Sequence, residues 1–432
     1  RQMELNERPN SRDIVLYDAL PNEMPRVAGI ITTVPQTPLS HVNLRAVQDG
    51  VPNAFVKGAL DNERISSLIG KYVYLKVDAG DFYIREAARA EVESHFSDMR
   101  PENAQVPARD LSVVSILPLD EIAFESSSSF GAKTANLAAL RTFGFPNGTV
   151  PDGFGIPFYY YDEFMKFNGF YEQAEEMLQD PEFQSDYNVQ EMKLAEFRES
   201  IKDGDMPRWM WNALSALQVS FPLGTSLRCR SSTNNEDLPG WSGAGLYDSK
   251  TQHPDEGHLS KSVKQVYASL WNFRAFDERQ FHRIDHLTAA MGVLVHQNFE
   301  DERANGVAVT IDPIYLTENT YYLNIQVQEN LVTNPDALSI PEELLISSSG
   351  RDEYRIVRSS NQVPSGERVL SIKHVNELRT YLKKIQINFS RLYKAGEKSE
   401  FAMEVEFKIT DEGKLVIKQA RPWVRTAAAS AG

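Results

Sequence analysis

The stretch from Arg228 to Asp248 contains side chains suited to binding a nucleotide triphosphate. Arg230 ends a predicted strand over residues 227–230, and its guanidinium group offers forked donors to phosphate oxygens. The acidic pair Glu236 and Asp237 follows, and such a pair can hold a metal ion or a ribose hydroxyl. Small residues come next and let backbone N–H groups approach a polyphosphate; they are Gly240, Ser242, Gly243 and Gly245. This order of residues predicts a triphosphate site.

His41 is a second candidate for chemistry. It ends a proline-rich loop and begins a predicted helix over residues 42–49. The free N–H groups and partial positive charge of a helix N-terminus favour a neutral imidazole and stabilise an attached phosphoryl group. A histidine so placed can carry a phosphoryl group covalently, which splits one difficult transfer into two steps. Arg45 lies one helical turn later and can reach the same group.

Two predicted strands near the C-terminus supply candidate metal ligands. Residues 401–409 and 414–419 are expected to pair around a turn. This pairing would place Glu406 and Gln419 on one face of the hairpin. Magnesium takes few protein oxygens and completes its shell with phosphate oxygens and water, so the two residues predict a Mg²⁺ site.

Two segments resemble one known family. RSSTNNEDLPGWSGAGLYDS is similar to the ATP-binding signature of the phosphohistidine dikinases, which include phosphoenolpyruvate synthase, pyruvate phosphate dikinase and glucan, water dikinase. TPLSHVNLR resembles the phosphohistidine loop of that family, in the Leu-Ser-His-Val form of the glucan, water dikinases. The resemblance extends over roughly residues 25–425, with ATP as substrate and Mg²⁺ as cofactor.

The resemblance implies a role for each matching residue. His41 would be the phosphoryl carrier with Arg45 beside it, and Glu406 and Gln419 would bind the metal. The nucleotide-binding positions would be Lys133, Arg230, Glu236, Asp237, Gly240, Ser242, Gly243, Gly245, Arg274 and Arg421.

Three positions depart from the family pattern. Leu39 and Val47 stand where the phosphoenolpyruvate branch usually has Thr and Arg, which weakens an assignment to pyruvate. His296 stands in the strand expected beside adenine, where the family often has Gln. The phosphoryl acceptor therefore stays open between a glucan, pyruvate and another small hydroxyl compound.

Composition limits the partners and the compartment. The 432 residues carry a formal net charge of −15, which excludes nucleic acid and anionic membrane as partners of the whole chain. No apolar run reaches the roughly 18 residues of a membrane span. The single cysteine excludes an intrachain disulfide and fits a cytoplasmic location. Because the sequence begins with Arg, we expect it to be a piece of a longer protein with further domains.

The pattern of elements predicts an α/β (α+β) protein. Residues 1–88 are interpreted as one domain, 89–112 as a charged linker, 113–426 as a second domain and 427–432 as a tail. The resemblance implies a swivelling β/β/α phosphohistidine domain followed by an ATP-grasp domain of two lobes. Within the second domain, residues 263–283 predict one long helix.

The sequence thus predicts a dikinase-type phosphotransferase. The β-phosphoryl group of ATP would pass to His41 and then to an acceptor, with AMP and phosphate released. Two alternatives are an ATP-binding regulatory module without turnover and an ATP-grasp ligase that releases ADP. The nucleotide product separates the two enzyme classes.

Overall fold

The protein has a mixed α/β structure, as the sequence predicts. The computed structural model describes residues 2–3, 9, 11–18, 27–36, 42–43, 46, 50–78, 80–236, 238, 246–299, 302–328, 340–350, 353–396 and 401–423. The chain divides into two compact units. One contains residues 1–103, 304–375 and 424–432, and the other contains residues 104–303 and 376–423.

The first unit begins with a parallel sheet. Its strands, in spatial order, are Gln2–Met3, Ile14–Tyr17, Gly29–Thr32 and Asn53–Phe55. Parallel strands are usually covered on both faces and are therefore apolar throughout. Gly29–Thr32 fits this rule, because all four of its residues are buried.

Each face of this sheet has its own apolar core. Val15 and Ile30 lie in one cluster together with Val42 and Ala46, which are four residues apart and share one side of a helical turn. Leu16 and Ile31, the next residues along the same two strands, face the opposite side of the sheet and lie in a second cluster. That cluster also contains Ala59, Ile65, Leu75 and Ile84. The helical residues after His41 are thus anchored on the sheet.

Short elements complete residues 50–99. Glu63–Ser66 is a helix whose N-cap, Asn62, accepts a hydrogen bond from the backbone N–H of Arg64. The strands Val73–Val77 and Phe82–Glu86 form a hairpin. A helix, Arg89–Met99, occupies part of the region interpreted as a linker.

The remainder of this unit is antiparallel. Its strands, in spatial order, are Tyr354–Arg358, Glu342–Ser347, Thr320–Val327 and Glu302–Val309, the last of which begins two residues before residue 304. The helix Ile372–Leu392 begins in this unit and continues into the other.

The second unit is built on an antiparallel sheet covered by helices. The strands, in spatial order, are Ser249–Gln252, Leu227–Thr233, Met291–Gln297, Gly153–Ile156 and Leu117–Pro118. The helices are Ser127–Phe130, Ala132–Arg141, Phe158–Phe167, Phe170–Gln179, Pro181–Ser185, Tyr187–Asp203, Arg208–Val219, Ser260–Ser269 and Phe273–Phe281. Buried sheet residues such as Cys229 and Val293 pack in one cluster with Tyr267 and Trp271 of the helical layer.

The prediction of one long helix over residues 263–283 is wrong. The structure has two helices, Ser260–Ser269 and Phe273–Phe281. Asn272 between them adopts an extended backbone, and its side chain accepts a hydrogen bond from the backbone N–H of Ala275. Asparagine competes with the helix in this way and favours a cap over a helix interior.

The second unit ends with the hairpin Ala402–Thr410 and Leu415–Trp423. Its register shifts between Glu406 and Phe407, which pair with Gln419 and Ile417 respectively. Lys418 is therefore the additional residue of a β-bulge, a feature that often lies next to functional sites. None of the helices in the described part of the chain combines the length and hydropathy that a membrane span requires.

Candidate nucleotide site

Arg230 is the centre of a polar cluster in the second unit. It lies in the strand Leu227–Thr233, between Cys229 and Ser231, whose side chains are fully buried. The guanidinium group of Arg230 donates from Nη1 to the backbone oxygen of Lys418 at 3.1 Å. Its Nη2 donates to Glu406 Oε2 at 3.3 Å and to Gln419 Oε1. One guanidinium group thus joins the sheet to the hairpin.

The bulge in the hairpin makes this arrangement possible. Glu406 and Gln419 are direct cross-strand partners, so their side chains lie on one face. Both side-chain oxygens converge on the same nitrogen, Nη2 of Arg230. Lys418 has no cross-strand partner, and its carbonyl accepts from Nη1. A carboxylate and an amide oxygen that meet at one point suit Mg²⁺, which prefers oxygen ligands.

Glu406 is ionised although much of it is covered. Burial alone would raise the pKa of this carboxyl group, but the positive charges of Arg230, Lys418, Arg421 and Lys133 outweigh burial and lower the pKa to about 2. Its side chain is 32% exposed, so a ligand can still approach it. The cluster therefore places the ionised Glu406 among four cations, two of which also pair with the carboxylates of Glu236 and Glu404, and this arrangement suits an anionic ligand with a bound metal.

Lys133 holds the carboxylate of Glu236 in place. Its Nζ donates to Glu236 Oε1 at 2.6 Å and to Ser231 Oγ at 3.2 Å. The second carboxylate oxygen of Glu236, Oε2, is buried without a hydrogen-bond partner among the described residues. A buried carboxylate oxygen without a partner is costly, so this atom is available to accept from a ligand hydroxyl or to bind a cation.

The backbone of Gly131 lies close to the backbone of Ser232, and this approach brings Lys133 to its position. Gly131, which precedes the helix Ala132–Arg141, has φ +85°, and a Cβ at this residue would lie 2.4 Å from the backbone carbonyl carbon of Ser232. The hydroxyl of Ser232 accepts from the backbone N–H of Thr134 at 3.1 Å. Only glycine allows this backbone conformation and this approach, which places the first turn of the helix against the strand.

Arg421 pairs with Glu404 one step along the hairpin. The two residues are cross-strand partners, and Arg421 Nε donates to Glu404 Oε1 at 2.9 Å. Burial would lower the pKa of Arg421, but the carboxylates of Glu404 and Glu406 outweigh burial and raise it. The side chain of Arg421 is 22% exposed, so its charge faces the cluster and stays accessible.

Several predicted site residues lie outside the described residues. They are His41, Arg45, Asp237, Gly240, Ser242, Gly243 and Gly245. The described residues on either side of the glycine-rich segment, Leu238 and Leu246, both belong to the second unit. Arg274 is half-buried in the first turn of the helix Phe273–Phe281.

Sequence reasoning missed some members of the cluster. The roles of the Lys418 carbonyl, the Glu404 carboxylate and the Ser231 hydroxyl depend on contacts between distant segments. For Glu404 there was a signal, because it alternates with Glu406 and so shares a face with it in a strand. For Lys418 the sequence contains no such signal, because the position of a bulge depends on how the two strands pair.

His296 is a neutral, buried residue. Burial, together with the nearby charge of Arg230, lowers its pKa to about 3. Nδ1 lies 2.7 Å from the carbonyl oxygen of Gln297, so Nδ1 carries the proton and Nε2 the lone pair. Nε2 is buried without a hydrogen-bond partner among the described residues.

The charge of Glu406 makes stability depend on pH. Its pKa in the folded protein, about 2, lies below the ordinary value of 4.5, so its contribution is fully present above pH 4.5 and is lost as pH falls toward 2. We expect the difference in unfolding midpoint between wild type and Glu406→Gln to shrink between pH 6 and pH 3. Thermal unfolding followed by circular dichroism measures it.

A control residue lies on the same hairpin. Glu412 is exposed in the turn between the two strands. The substitution Glu412→Gln should shift the unfolding midpoint little at any pH, because the side chain lies outside the cation cluster. A midpoint difference for Glu406→Gln that stays constant between pH 6 and pH 3 would contradict the ion pairing described here.

Relatives with known names match large parts of the chain. It is 31% identical over 206 residues to the phosphoenolpyruvate synthase of Aeropyrum pernix, an alignment that covers 46% of this chain and 24% of the relative. It is 26% identical over 328 residues to the probable phosphoenolpyruvate synthase of Methanocaldococcus jannaschii, with 70% and 26% covered. The phosphoenolpyruvate synthase of Pseudomonas aeruginosa is 25% identical over 352 residues, with 73% and 43% covered. The chain thus spans less than half the length of these relatives.

A solved structure and a family model complete the comparison. The structure of D-cycloserine synthetase overlaps 51% of this chain and 54% of its own, with 7% identity and a TM-score of 0.26, too low to support an argument about the fold. Residues 127–432 match the family model described as pyruvate phosphate dikinase, AMP/ATP-binding domain, and these residues contain Lys133, Arg230, Glu406, Gln419 and Arg421. The chain therefore belongs to the family of the pyruvate phosphate dikinase AMP/ATP-binding domain.

Proposed function

We propose that this chain carries out the ATP half-reaction of a dikinase. The β-phosphoryl group of ATP passes to His41, and AMP and phosphate leave. The observation that carries the proposal is the cluster around Arg230, in which a carboxylate and an amide oxygen meet beside four cations within the AMP/ATP-binding domain. Phosphoryl transfer requires mainly positioning and charge neutralisation, and this cluster supplies both.

The proposed roles follow from the contacts. Arg230 and Arg421 bind phosphate oxygens, and Lys133 adds a point charge to the same group. Glu406 and Gln419 would hold Mg²⁺, which neutralises the developing charge on the phosphate oxygens when bound. Asp237, Arg274 and the small residues of the signature complete the site; these are Gly240, Ser242, Gly243 and Gly245.

The proposal also gives a hydrogen-bond partner to Oε2 of Glu236. This oxygen would accept from a ribose hydroxyl or from a water molecule bound to the metal. Either partner would satisfy the buried oxygen when nucleotide is bound. Glu236 thus serves the nucleotide, while Lys133 keeps its other oxygen in position.

In the transfer itself, a ring nitrogen of His41 forms a bond to the β-phosphorus. Both anhydride bonds of ATP break, and water takes the γ-phosphoryl group, so that AMP and phosphate are the products. The negative charge moves from the triphosphate to the phosphoimidazole and the leaving groups. Arg45, one helical turn after His41, stabilises the carried phosphoryl group.

The domain arrangement is part of the proposal. Residues 1–88 would form a swivelling phosphohistidine domain, 89–112 a linker, and 113–426 a two-lobed ATP-grasp domain. The apolar packing of Val42 and Ala46 on the parallel sheet supports the first assignment, because it anchors the turn that follows His41 on a rigid element. A carrier histidine on its own domain can visit two sites in succession.

The second substrate is proposed to be a small molecule with a hydroxyl or enol oxygen. The names of the relatives favour pyruvate, since they are phosphoenolpyruvate synthases. The Leu-Ser-His-Val form of the histidine loop and the order of the two domains favour a glucan. Further domains of a longer chain would hold this acceptor.

The products of ATP turnover test the proposal. Protein incubated with Mg²⁺ and ATP labelled at the β- or γ-phosphorus should acquire acid-labile label from the β position only and release AMP. Formation of ADP would contradict the dikinase assignment and favour a ligase. ATP binding without any turnover would favour a regulatory module.

A further inference from the structure

The side chain of Lys418 adds a positive charge to the cluster around Arg230 that no described carboxylate contacts. Lys418 is the additional residue of the bulge, and its hydrogen bond with Arg230 uses the backbone oxygen, so the ammonium group takes no part in it. Among the described residues, the ammonium group has no ion pair and no hydrogen bond. The side chain is half-buried. Lysine is rarely withdrawn from water without an anionic partner, because burial penalises the charge.

The acidic side chains around the cluster are each paired with a different cation. The pairs are Glu406 with Arg230 at 3.3 Å, Glu404 with Arg421 at 2.9 Å, Glu236 with Lys133 at 2.6 Å and Glu302 with Lys408 at 2.7 Å. These pairings leave no described carboxylate in direct contact with Lys418. An anionic ligand would supply the missing partner.

The bulge directs the side chain of Lys418 to the same side of the hairpin as Glu406. Regular alternation would turn Lys418 away from its neighbour Gln419, toward the side that carries Phe407 and Ile417. Those two residues are apolar and at most 1% exposed, so that side offers no place for an ammonium group. The bulge instead sets Lys418 and Gln419 together opposite Glu406.

The charge of Lys418 acts on residues of the cluster. Burial raises the pKa of Glu406, and among the charges that lower it Lys418 follows only Arg230. Burial lowers the pKa of His296, and the charges of Arg230 and Lys418 lower it further. The ammonium group therefore lies near the guanidinium group of Arg230, in the part of the second unit that holds the candidate nucleotide site.

We propose that the ammonium group of Lys418 binds a phosphate oxygen of ATP. A triphosphate is the anion that the cluster is proposed to hold, and a lysine ammonium group offers a compact charge with three donors for its oxygens. The inference rests on the proposed function, and it gives the side chain of Lys418 a role separate from that of its backbone oxygen. Because a substitution keeps the backbone oxygen that Arg230 contacts, the two roles are tested independently.

Lys418→Met removes the charge and keeps a long, unbranched side chain. Lys414→Met is the matched control, because Lys414 is exposed on the same hairpin and its Nζ donates to the backbone oxygen of Asn147 at 2.7 Å. Binding is measured by calorimetry with Mg²⁺ and an analogue of ATP that has a methylene group between the α- and β-phosphorus atoms, which prevents transfer of the β-phosphoryl group. We expect Lys418→Met to raise the Kd about tenfold to a hundredfold, as for the loss of one hydrogen bond between charged groups, and Lys414→Met to leave it unchanged.

Adenosine separates a contact with phosphate from a general change in the site. It has no phosphate group, so wild type and Lys418→Met should bind it equally in competition with the analogue. Lys418→Arg restores a positive charge and should bind the analogue more tightly than Lys418→Met. A loss of affinity for adenosine as large as the loss for the analogue would overturn the phosphate contact.

Unfolding without nucleotide gives a readout that a structural role would move. The midpoint of Lys418→Met should fall little, because the substitution removes no ion pair and no hydrogen bond of the side chain with a described residue. A lower midpoint together with an unchanged Kd for the analogue would show that Lys418 serves the fold, and would overturn the proposal.

The behaviour of the wild-type chain distinguishes this inference from the function on which it rests. A wild-type chain that does not bind the analogue contradicts both. A wild-type chain that binds it, with Lys418→Met binding it equally well, contradicts the role of Lys418 alone. Weaker binding by Lys418→Met, with adenosine binding and the Lys414→Met control unchanged, supports the contact.

Discussion

Substitution of His41 by alanine should abolish the acid-labile labelling of the protein and the formation of AMP from ATP. The imidazole is the proposed covalent carrier, so the variant lacks the nucleophile of the proposed reaction. Removal of a nucleophile typically lowers the rate by about 10⁴-fold or more. The rate of AMP release with β-labelled ATP measures the effect.

The dissociation constant for ATP should not change in this variant, because the substitution alters none of the proposed nucleotide-binding positions. His95 provides a control in the same unit as His41. It is exposed on the helix Arg89–Met99, so His95→Ala should retain labelling and turnover. AMP formation by His41→Ala at the wild-type rate would show that another residue receives the phosphoryl group.

The second large effect is expected from Arg230→Lys. The guanidinium group reaches three acceptors at once, and an ammonium group on a flexible stem cannot reproduce this fork. The variant keeps the positive charge but loses the geometry that places Glu406 and Gln419. We expect kcat/KM for ATP to fall by about 10²- to 10³-fold, the range found when one donor to a developing negative charge is removed. Steady-state AMP formation measures it.

Arg228 gives a matched comparison for Arg230. It lies two residues earlier in the same strand, but its Nη1 donates to Thr251 Oγ1 in the neighbouring strand at 2.8 Å. Arg228→Lys should therefore lower kcat/KM by less than about threefold, since it loses only one hydrogen bond between side chains. If kcat/KM fell equally in the two variants, the three hydrogen bonds of the Arg230 guanidinium group would not be what supports catalysis.

Local patterns predicted many of the elements. The two C-terminal strands follow from alternation and from turn residues that lie close together in the sequence. The strand Glu342–Ser347 was not predicted, because it begins with two glutamates. Both are buried in the structure, and Glu343 is compensated by Arg358 at 3.1 Å and by Tyr315. Such compensation comes from residues distant in the sequence and leaves no local signal.

The order of residues along the chain is enough to show which chemical groups it offers for nucleotide chemistry. The signature around Arg230 and the loop before His41 are contiguous, so their order alone indicates phosphate binding and a phosphoryl carrier. The pairing of Glu406 with Gln419 was also predictable, since one turn joins their strands.

Only the tertiary structure decided how these groups meet. Arg230 donates to the carbonyl of Lys418, 188 residues later, and this contact requires both the sheet and the bulge in the hairpin. The low pKa of Glu406 and the hydrogen bond from Tyr247 to Asn235 likewise arise where separate segments pack. The physical reason is that charge interactions and hydrogen bonds depend on distance in space, and the spacing of residues along a chain specifies that distance only within one element or one turn.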